Sequence, residues 1–220
     1  MIALIGKGTV GQALLAQRDF DCVFDSSNID TMSANHFECV VIAAPSGNRR
    51  AVNQDSTQDD HDVLQIIEAI RKGRPQRTIL FSSVDAVVAP HTAYGRNRKF
   101  LEEALTAHTQ LTVFRLSTLV GPTIKKNILY DIKHQQYWDK IDTGAWLQWC
   151  LLDDISRFID WAQSGQVVNV VSEPIQNLEL IKRLDLDVVL SQQASDIVYD
   201  QQPWCYSKQQ IFDAIERYLQ

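Results

Sequence analysis

The chain has 220 residues, enough for one domain with a substantial core and a small appendage. Its hydrophobic fraction of 45% and charged fraction of 22% are ordinary for a globular protein, and its net charge of −6 argues against nucleic acid or an acidic membrane surface as the main partner. The N-terminal apolar run is too short for a signal peptide and no stretch approaches a membrane span, so we expect a cytoplasmic protein.

A glycine-rich turn follows the first predicted strand. The apolar run over residues 2–5 predicts a short strand, and residues 6–11 (Gly-Lys-Gly-Thr-Val-Gly) precede a segment that predicts a helix. In this context the pattern G-x-G-x-x-G is typical of dinucleotide binding. The first glycine permits the tight turn, the second lets the backbone approach a pyrophosphate, and the third lets the helix pack on the strand. The N-terminus of the helix would present N–H groups to the phosphates. The predicted dinucleotide contacts here are Gly6, Gly8, Thr9, Val10 and Gly11.

An acidic residue ends the second predicted strand. Residues 21–25 (Asp-Cys-Val-Phe-Asp) predict a strand that finishes at Asp25, about 20 residues after the glycine turn. Dinucleotide-binding proteins place at this point the carboxylate that accepts hydrogen bonds from the adenosine ribose hydroxyls. Because the same carboxylate would repel a 2′-phosphate, the sequence predicts NAD(H) in preference to NADP(H).

Beyond Asp25 the chain alternates predicted strands and helices. Residues 38–44 form a nearly continuous apolar run, as expected of a strand buried on both faces. The small residues at its end, on which a cofactor adenosine would lie, are Ala43, Ala44 and Pro45. Residues 45–58 are polar and predict a loop, for which a solvated charged segment is the favoured interpretation and contact of Asn48, Arg49 and Arg50 with a phosphate the alternative. The later segments predict a helix from Asp59 to Gly73, strands over 78–81 and 112–116, and a helix beginning at Tyr94 with Phe100, Leu101, Ala104 and Leu105 as its apolar stripe. This alternation predicts an α/β, Rossmann-like fold with a doubly wound parallel sheet.

A group of polar residues falls at the carboxyl ends of these strands, where such sheets bind their ligands. Ser82 and Ser83 end one strand, and Tyr94 and Arg98 lie one helical turn apart on a shared face. An adjacent fixed cation lowers the pKa of a tyrosine from its usual value of about 10, as acid–base chemistry near neutrality requires. We therefore predict Tyr94 as the acid–base residue, Ser83 as its hydrogen-bonding partner, Arg98 as the cation and Ser82 as a cofactor contact.

These segments resemble the short-chain dehydrogenase/reductase superfamily, and within it the NAD-dependent epimerase/dehydratase branch that acts on nucleotide sugars. The resembling stretches are residues 81–85 (Phe-Ser-Ser-Val-Asp), 94–98 (Tyr-Gly-Arg-Asn-Arg), 115–122 (Arg-Leu-Ser-Thr-Leu-Val-Gly-Pro) and 151–155 (Leu-Leu-Asp-Asp-Ile). The resemblance implies NAD as cofactor, with Leu116 and Ser117 among its contacts. It also implies hydride transfer to or from a nucleotide sugar or a small carbonyl or alcohol, with a small C-terminal substrate lobe.

Three departures from the family pattern bear on the chemistry. Ile5 stands where the family has the first of three glycines spaced three and three. Only ten residues separate Ser83 from Tyr94, and the C-terminal lobe is short for a bulky nucleotide sugar. Arg98 replaces the family's catalytic lysine, which holds the nicotinamide ribose hydroxyls and lowers the tyrosine pKa. Arginine supplies charge and donors but is effectively never deprotonated.

The regular alternation ends at Pro122. Residues 123–150 lack clear periodicity and contain Trp138, Trp146 and Trp149, for which lobe packing is the favoured interpretation and stacking on a sugar or base the alternative. The remaining predicted elements are a helix over 155–162 after Asp153 and Asp154, a strand over 167–171, and helices over 178–184 and 208–219. We therefore predict a dinucleotide-binding core over 1–122 and a small substrate lobe with closing elements over 123–220.

Three functional hypotheses follow. The first is an NAD-dependent oxidoreductase or epimerase-like enzyme that uses the Tyr94 cluster. The second is a non-catalytic dinucleotide-binding regulatory or scaffold protein of the same fold. The third is another dehydrogenase with this glycine spacing and unrelated chemistry, which leaves the Tyr94 cluster unexplained. The four cysteines and five histidines lack metal-ligand spacing, so no metal is predicted, and a homodimer is one option for the assembly.

Overall fold

The computed structural model describes residues 1–137, 141–186 and 203–220. Its strands are β1 (Ile2–Ile5), β2 (Cys22–Phe24), β3 (Cys39–Ile42), β4 (Arg77–Ser83), β5 (Gln110–Leu116), β6 (Thr118–Val120), β7 (Trp146–Leu147), β8 (Trp149–Leu151), β9 (Val167–Val170) and β10 (Ile175–Gln176). Its helices are α1 (Thr9–Leu15), α2 (Arg49–Gln54), α3 (Thr57–Gly73), α4 (Asp85–Val88), α5 (Ala93–Thr106), α6 (Ile128–Lys133), α7 (Arg157–Trp161), α8 (Asn177–Arg183) and α9 (Lys208–Leu219), and a 3-10 helix spans Ile29–Ala34.

Six strands form the main sheet in the order β2-β1-β3-β4-β5-β9. Strand β1 pairs in parallel with both β2 and β3, and β3 pairs in parallel with β4. The chain therefore winds outward to β2, returns past β1 to β3 and continues in the opposite direction. This reversal between β1 and β3 is the topological switch point at which doubly wound sheets bind ligands. The predicted doubly wound parallel sheet is confirmed.

The core beneath this switch point is built from the apolar runs of the sequence. The residues of β3 are completely buried, as expected for a central parallel strand. Two of them, Val40 and Ile42, belong to a cluster that includes Val63, Ile66 and Ile70 of α3 and Leu101 and Leu105 of α5. Two helices are thereby fixed against the strands, and their polar residues are held beside the carboxyl ends of the sheet.

Several local predictions need correction. The segment 45–58 is not a loop, because it contains α2 and the first residues of α3. Helix α2 begins where the Asn48 side chain accepts a hydrogen bond from the Ala51 N–H, and Val52 is its one buried residue, so its apolar signal is minimal. Phe100, predicted in the apolar stripe of α5, is 48% exposed. Helix α3 begins at Thr57, two residues before the predicted start, and ends at Gly73 as predicted, with Arg74 in the left-handed conformation that follows it.

The chain divides into two compact units, each made of two segments. The first unit contains Met1–Arg115 and Asp154–Val168, and the second contains Leu116–Asp153 and Asn169–Gln220. The predicted separation of a dinucleotide-binding core from a substrate lobe at residue 122 concerns function and stays a prediction.

The second unit holds two small sheets, with β6 parallel to β8 and β7 antiparallel to β10. Trp149 is fully buried in β8, so its interpretation as lobe packing is confirmed. The ring of Trp146 is partly exposed and lies 5.8 Å from the Lys208 ammonium, whereas Trp138 lies outside the described residues. Helix α9 has the predicted bounds and begins with a capping box between Ser207 and Gln210. Within the ranges that the structure describes, no helix is both long and apolar enough to cross a membrane.

Candidate functional site

The glycine turn between β1 and α1 is shaped by two close backbone contacts. Gly6 has a φ of +107°, and a β-carbon there would lie 2.5 Å from the carbonyl oxygen of Ala43. A β-carbon on Gly11 would lie 2.0 Å from the carbonyl oxygen of Gly6. Gly8, which precedes Thr9 and Val10 at the start of α1, has open space where its β-carbon would be. Packing therefore requires Gly6 and Gly11 to be glycine, while Gly8 leaves the backbone accessible from outside.

Asp25 follows β2 directly, and both of its carboxylate oxygens accept hydrogen bonds. Oδ2 accepts from the Lys7 ammonium at 2.8 Å, and Oδ1 accepts from the Ser27 N–H at 2.9 Å and the Ser27 hydroxyl at 2.5 Å. The Lys7 and Ser27 hydrogen bonds hold the pKa of Asp25 well below its usual range. The predicted ribose-binding acid is thus charged, oriented and paired with a lysine of the glycine turn.

The small residues after β3 face this turn. The N–H of Ala43 donates to the Ile5 carbonyl at 2.8 Å, which extends the β1–β3 pairing by one residue. The carbonyl of Ala43 is the group that excludes a side chain at Gly6, and the Ala44–Pro45 peptide is cis. The predicted adenosine platform therefore lies at the switch point, next to the glycine turn.

The two serines at the end of β4 have protein partners. The buried Ser82 hydroxyl donates to Glu102 Oε1 at 2.6 Å, and Glu102 in turn pairs with Arg115 at 2.6 Å. Ser83 Oγ accepts from the Asp85 N–H at 3.2 Å and lies 3.3 Å from Asp85 Oδ2. Ser82 is thereby tied to a buried ion pair, whereas Ser83 makes two long hydrogen bonds that a ligand can replace.

Tyr94 and Arg98 share a face of α5, as predicted. The Arg98 guanidinium carbon lies 4.3 Å from the centre of the Tyr94 ring. Its Nη atoms donate to the Asp59 carboxylate at 2.8 and 3.1 Å and to the Ser46 carbonyl at 2.8 Å. Arg98 is only 3% exposed. The predicted cation is thus in place beside Tyr94, and it makes three hydrogen bonds within the protein.

The protonation of Arg98 is set by this burial and by its partners. Burial acts to lower its pKa, but Tyr94 and Asp59 outweigh that effect and raise the pKa above its ordinary value. Arg98 therefore stays charged beside the Tyr94 ring and does not give up a proton.

Asp85, which was not among the predicted site residues, lies in the same region. Asp85 is buried at the start of α4, and its Oδ1 makes no hydrogen bond within the described residues. The Arg49 guanidinium of α2 approaches that oxygen to 3.6 Å, and Asn53, one turn further along α2, accepts from the Tyr94 N–H at 2.9 Å. The sequence feature that points to Asp85 is its position two residues after Ser83. The sequence predicts a loop at Arg49 and Asn53, so it gives no sign that α2 brings them to Asp85 and Tyr94.

The remaining two predicted cofactor contacts belong to the second unit. Leu116 is buried, and the Ser117 hydroxyl donates to the Val170 carbonyl at 2.9 Å. Their assignment as cofactor contacts stays a prediction. No group of three metal-ligating side chains is assembled in the part of the chain that the structure describes.

Comparison with known proteins locates the fold. No protein-family model matches the sequence, and no curated protein matches it. UDP-glucose 4-epimerase from Thermotoga maritima, solved with UDP-glucose, aligns with a TM-score of 0.78 at 13% identity, over 100% of this chain and 97% of that one. The fold is that of UDP-glucose 4-epimerase. The Bordetella bronchiseptica enzyme WbmG, solved with NAD and UDP, aligns with a TM-score of 0.74 at 15% identity, over 99% of this chain and 92% of that one. MoeE5, solved with UDP-glucose and NAD, gives a TM-score of 0.73 at 11% identity, over 99% and 97% of the two chains.

The fold shared with these structures agrees with the fold predicted from the sequence. The Rossmann-like architecture is confirmed, and the predicted glycine turn, Asp25, the end of β3 and the Tyr94 helix all belong to its first unit. Identities of 11 to 15% describe shared architecture, so the chemistry has to be argued from the residues themselves.

Proposed function

We propose that the protein is an NAD(H)-dependent oxidoreductase or epimerase that acts on a nucleotide sugar or a related small carbonyl or alcohol. The observation that carries the proposal is the open backbone at Gly8, next to a charged Asp25, at the switch point of the sheet. Proteins of this fold have been solved with NAD and with UDP or UDP-glucose, which supports the same ligand classes here.

The described residues fit a dinucleotide at this place. Gly8 leaves room where a side chain would block a pyrophosphate, and Asp25 offers a carboxylate for ribose hydroxyls. Ala43 and Ala44 present small side chains at the edge of the sheet. NAD(H), when bound, supplies the hydride donor or acceptor.

The proposed acid–base work falls to Tyr94. As the phenolate it takes a proton from a substrate hydroxyl during oxidation and becomes the phenol, and as the phenol it returns that proton during reduction. The Arg98 guanidinium, 4.3 Å from the ring centre, stabilises the phenolate while it holds no transferable proton. Ser83 exchanges its long hydrogen bonds with Asp85 for one to the substrate oxygen. Arg98 contributes to this chemistry through Tyr94, since both of its Nη atoms bond to Asp59 or Ser46.

The proposal is tested in two steps on the full chain. Calorimetric titration with NAD⁺ and NADH should give saturable binding. When UDP-glucose or simple alcohols and carbonyls are added, either nicotinamide absorbance should change through net oxidation or reduction, or UDP-glucose should be converted to an epimer with no net change in absorbance. Failure to bind either dinucleotide overturns the proposal. Binding without turnover on the whole panel favours the non-catalytic dinucleotide-binding protein instead.

A further inference from the structure

Lys7, between the first two glycines of the turn, directs its ammonium at the candidate ribose carboxylate. The Lys7 Nζ lies 2.8 Å from Asp25 Oδ2, and the side chains are 49% and 32% exposed. The backbone of Lys7 thus belongs to the predicted pyrophosphate turn, while its charge sits at the predicted ribose site.

The contacts of Asp25 determine what a ribose would meet. Oδ1 is held by the backbone and hydroxyl of Ser27, which are local contacts within the turn after β2. Oδ2 bonds to Lys7. A ribose 2′-hydroxyl that donates to Asp25 therefore has to displace the Lys7 ammonium or share Oδ2 with it. This cost is modest, because water screens an exposed ion pair.

A 2′-phosphate would meet a different environment. A carboxylate alone repels the phosphate, but Lys7 and Asp25 together carry no net charge, and the ammonium can pair with the phosphate oxygens. Lys7 is long and half exposed, so it can turn from Asp25 toward an added anion without any change in the backbone.

We propose that Lys7 is a specificity-determining residue that reduces the ratio of the affinity for NAD(H) to the affinity for NADP(H). It competes with the adenosine ribose for Asp25 when the cofactor lacks a 2′-phosphate, and it binds the 2′-phosphate when the cofactor has one. The inference rests on the proposed function, since it requires the dinucleotide to bind with its adenosine ribose at Asp25.

The test is calorimetric titration of wild type, Lys7→Met and the control Lys99→Met with NADH and with NADPH at low ionic strength. Lys99 is an equally exposed lysine of α5 that pairs with Glu103 at 3.9 Å, so its replacement makes the same change in net charge elsewhere. In Lys7→Met, NADPH should bind about tenfold to a hundredfold more weakly, which corresponds to one lost hydrogen bond between charged groups. NADH should bind as well as before or up to about fivefold more tightly, since only an exposed ion pair is removed. In Lys99→Met, both affinities should stay within about twofold of wild type.

In Lys7→Met the affinity for NADPH should fall while the affinity for NADH stays the same or rises. A folding defect would weaken the binding of both cofactors, so it can be distinguished from the expected result. An unchanged ratio of NADH to NADPH affinity in Lys7→Met overturns the role of Lys7 while leaving the proposed function intact. A wild-type protein that binds neither cofactor overturns the proposed function, and this inference with it.

Discussion

Arg98 of α5 and Asp59 of α3 form a buried, two-pronged ion pair, with Nη–Oδ distances of 2.8 and 3.1 Å. Their side chains are almost fully excluded from solvent, and a third hydrogen bond joins Arg98 to the Ser46 carbonyl after β3. Arginine suits this position because its planar fork matches a carboxylate with two parallel bonds, which an ammonium cannot do. The arginine that stands in place of a lysine in the resembled family is therefore explained by its partner on α3.

The first prediction concerns the stability that this pair provides. Arg98→Met should lower the free energy of unfolding by about 3–5 kcal/mol, because it leaves the Asp59 carboxylate buried without its cation. Urea denaturation measures the change. Arg71→Met is the control, since it removes an equally well-formed pair, at 2.7 Å from Glu68, from an exposed surface and should leave stability essentially unchanged.

A double variant separates loss of the pair from loss of packing. Asp59→Asn with Arg98→Met removes both charges and keeps an amide that Asn97 can still contact. Its loss in free energy of unfolding should be smaller than the sum of the losses in the two single variants. Each single variant leaves one buried charge without its partner, whereas the double variant leaves none. Equal losses in Arg98→Met and Arg71→Met, or additive losses in the double variant, would contradict a strongly coupled buried pair.

The second prediction concerns the division of labour among the glycines. Gly8→Val should cost at most about 1 kcal/mol of stability, since the position is open and valine is only a poorer N-cap. Gly11→Ala should cost about 1–3 kcal/mol, because its β-carbon would meet the Gly6 carbonyl at 2.0 Å. Thermal or urea unfolding of the two variants checks this order.

The effect of Gly8→Val on NADH binding should be large even though its effect on stability is small. Gly8→Val should bind NADH at least about tenfold more weakly, because the valine occupies the space through which the pyrophosphate would approach the backbone. A Gly8→Val protein that is folded and binds NADH at wild-type affinity would place the dinucleotide elsewhere.

Local sequence patterns were sufficient for the elements whose residues carry a clear apolar signal. The unbroken run of β3 predicted a buried strand, and the spacing of Ile211 and Ile215 predicted α9 with its observed bounds. The glycine turn and Asp25 were predicted because their roles depend on backbone conformation and on position after a strand.

These local patterns could not predict contacts between residues that are far apart in the sequence. Helix α2 is polar except for Val52, and Asn53 bonds to Tyr94, 41 positions away. Arg98 bonds to Asp59, 39 positions away, so the burial of its guanidinium followed from no local feature of α5. The Lys7–Asp25 pair joins the glycine turn to the predicted ribose-binding acid, and it depends on the register of β1 and β2.

The last prediction concerns Tyr94 and separates an enzyme from a protein that only binds the cofactor. Tyr94→Phe removes the phenol hydroxyl and keeps the ring that packs 4.3 Å from the Arg98 guanidinium carbon, so folding and NADH affinity should stay close to wild type. Turnover, followed as nicotinamide absorbance with UDP-glucose and simple carbonyls, should fall about 10²–10⁴-fold, the usual contribution of a positioned acid–base group. Tyr130→Phe is the control, because Tyr130 stacks on His134 in the second unit and should leave turnover unchanged. Arg98→Lys should also lower or reshape activity, since a lysine loses the two-pronged bond to Asp59 and with it the fixed charge over Tyr94. Turnover that survives Tyr94→Phe would show that another group moves the proton. Asp85, a buried carboxylate that contacts Ser83, would then be the first candidate, and Asp85→Asn would test it.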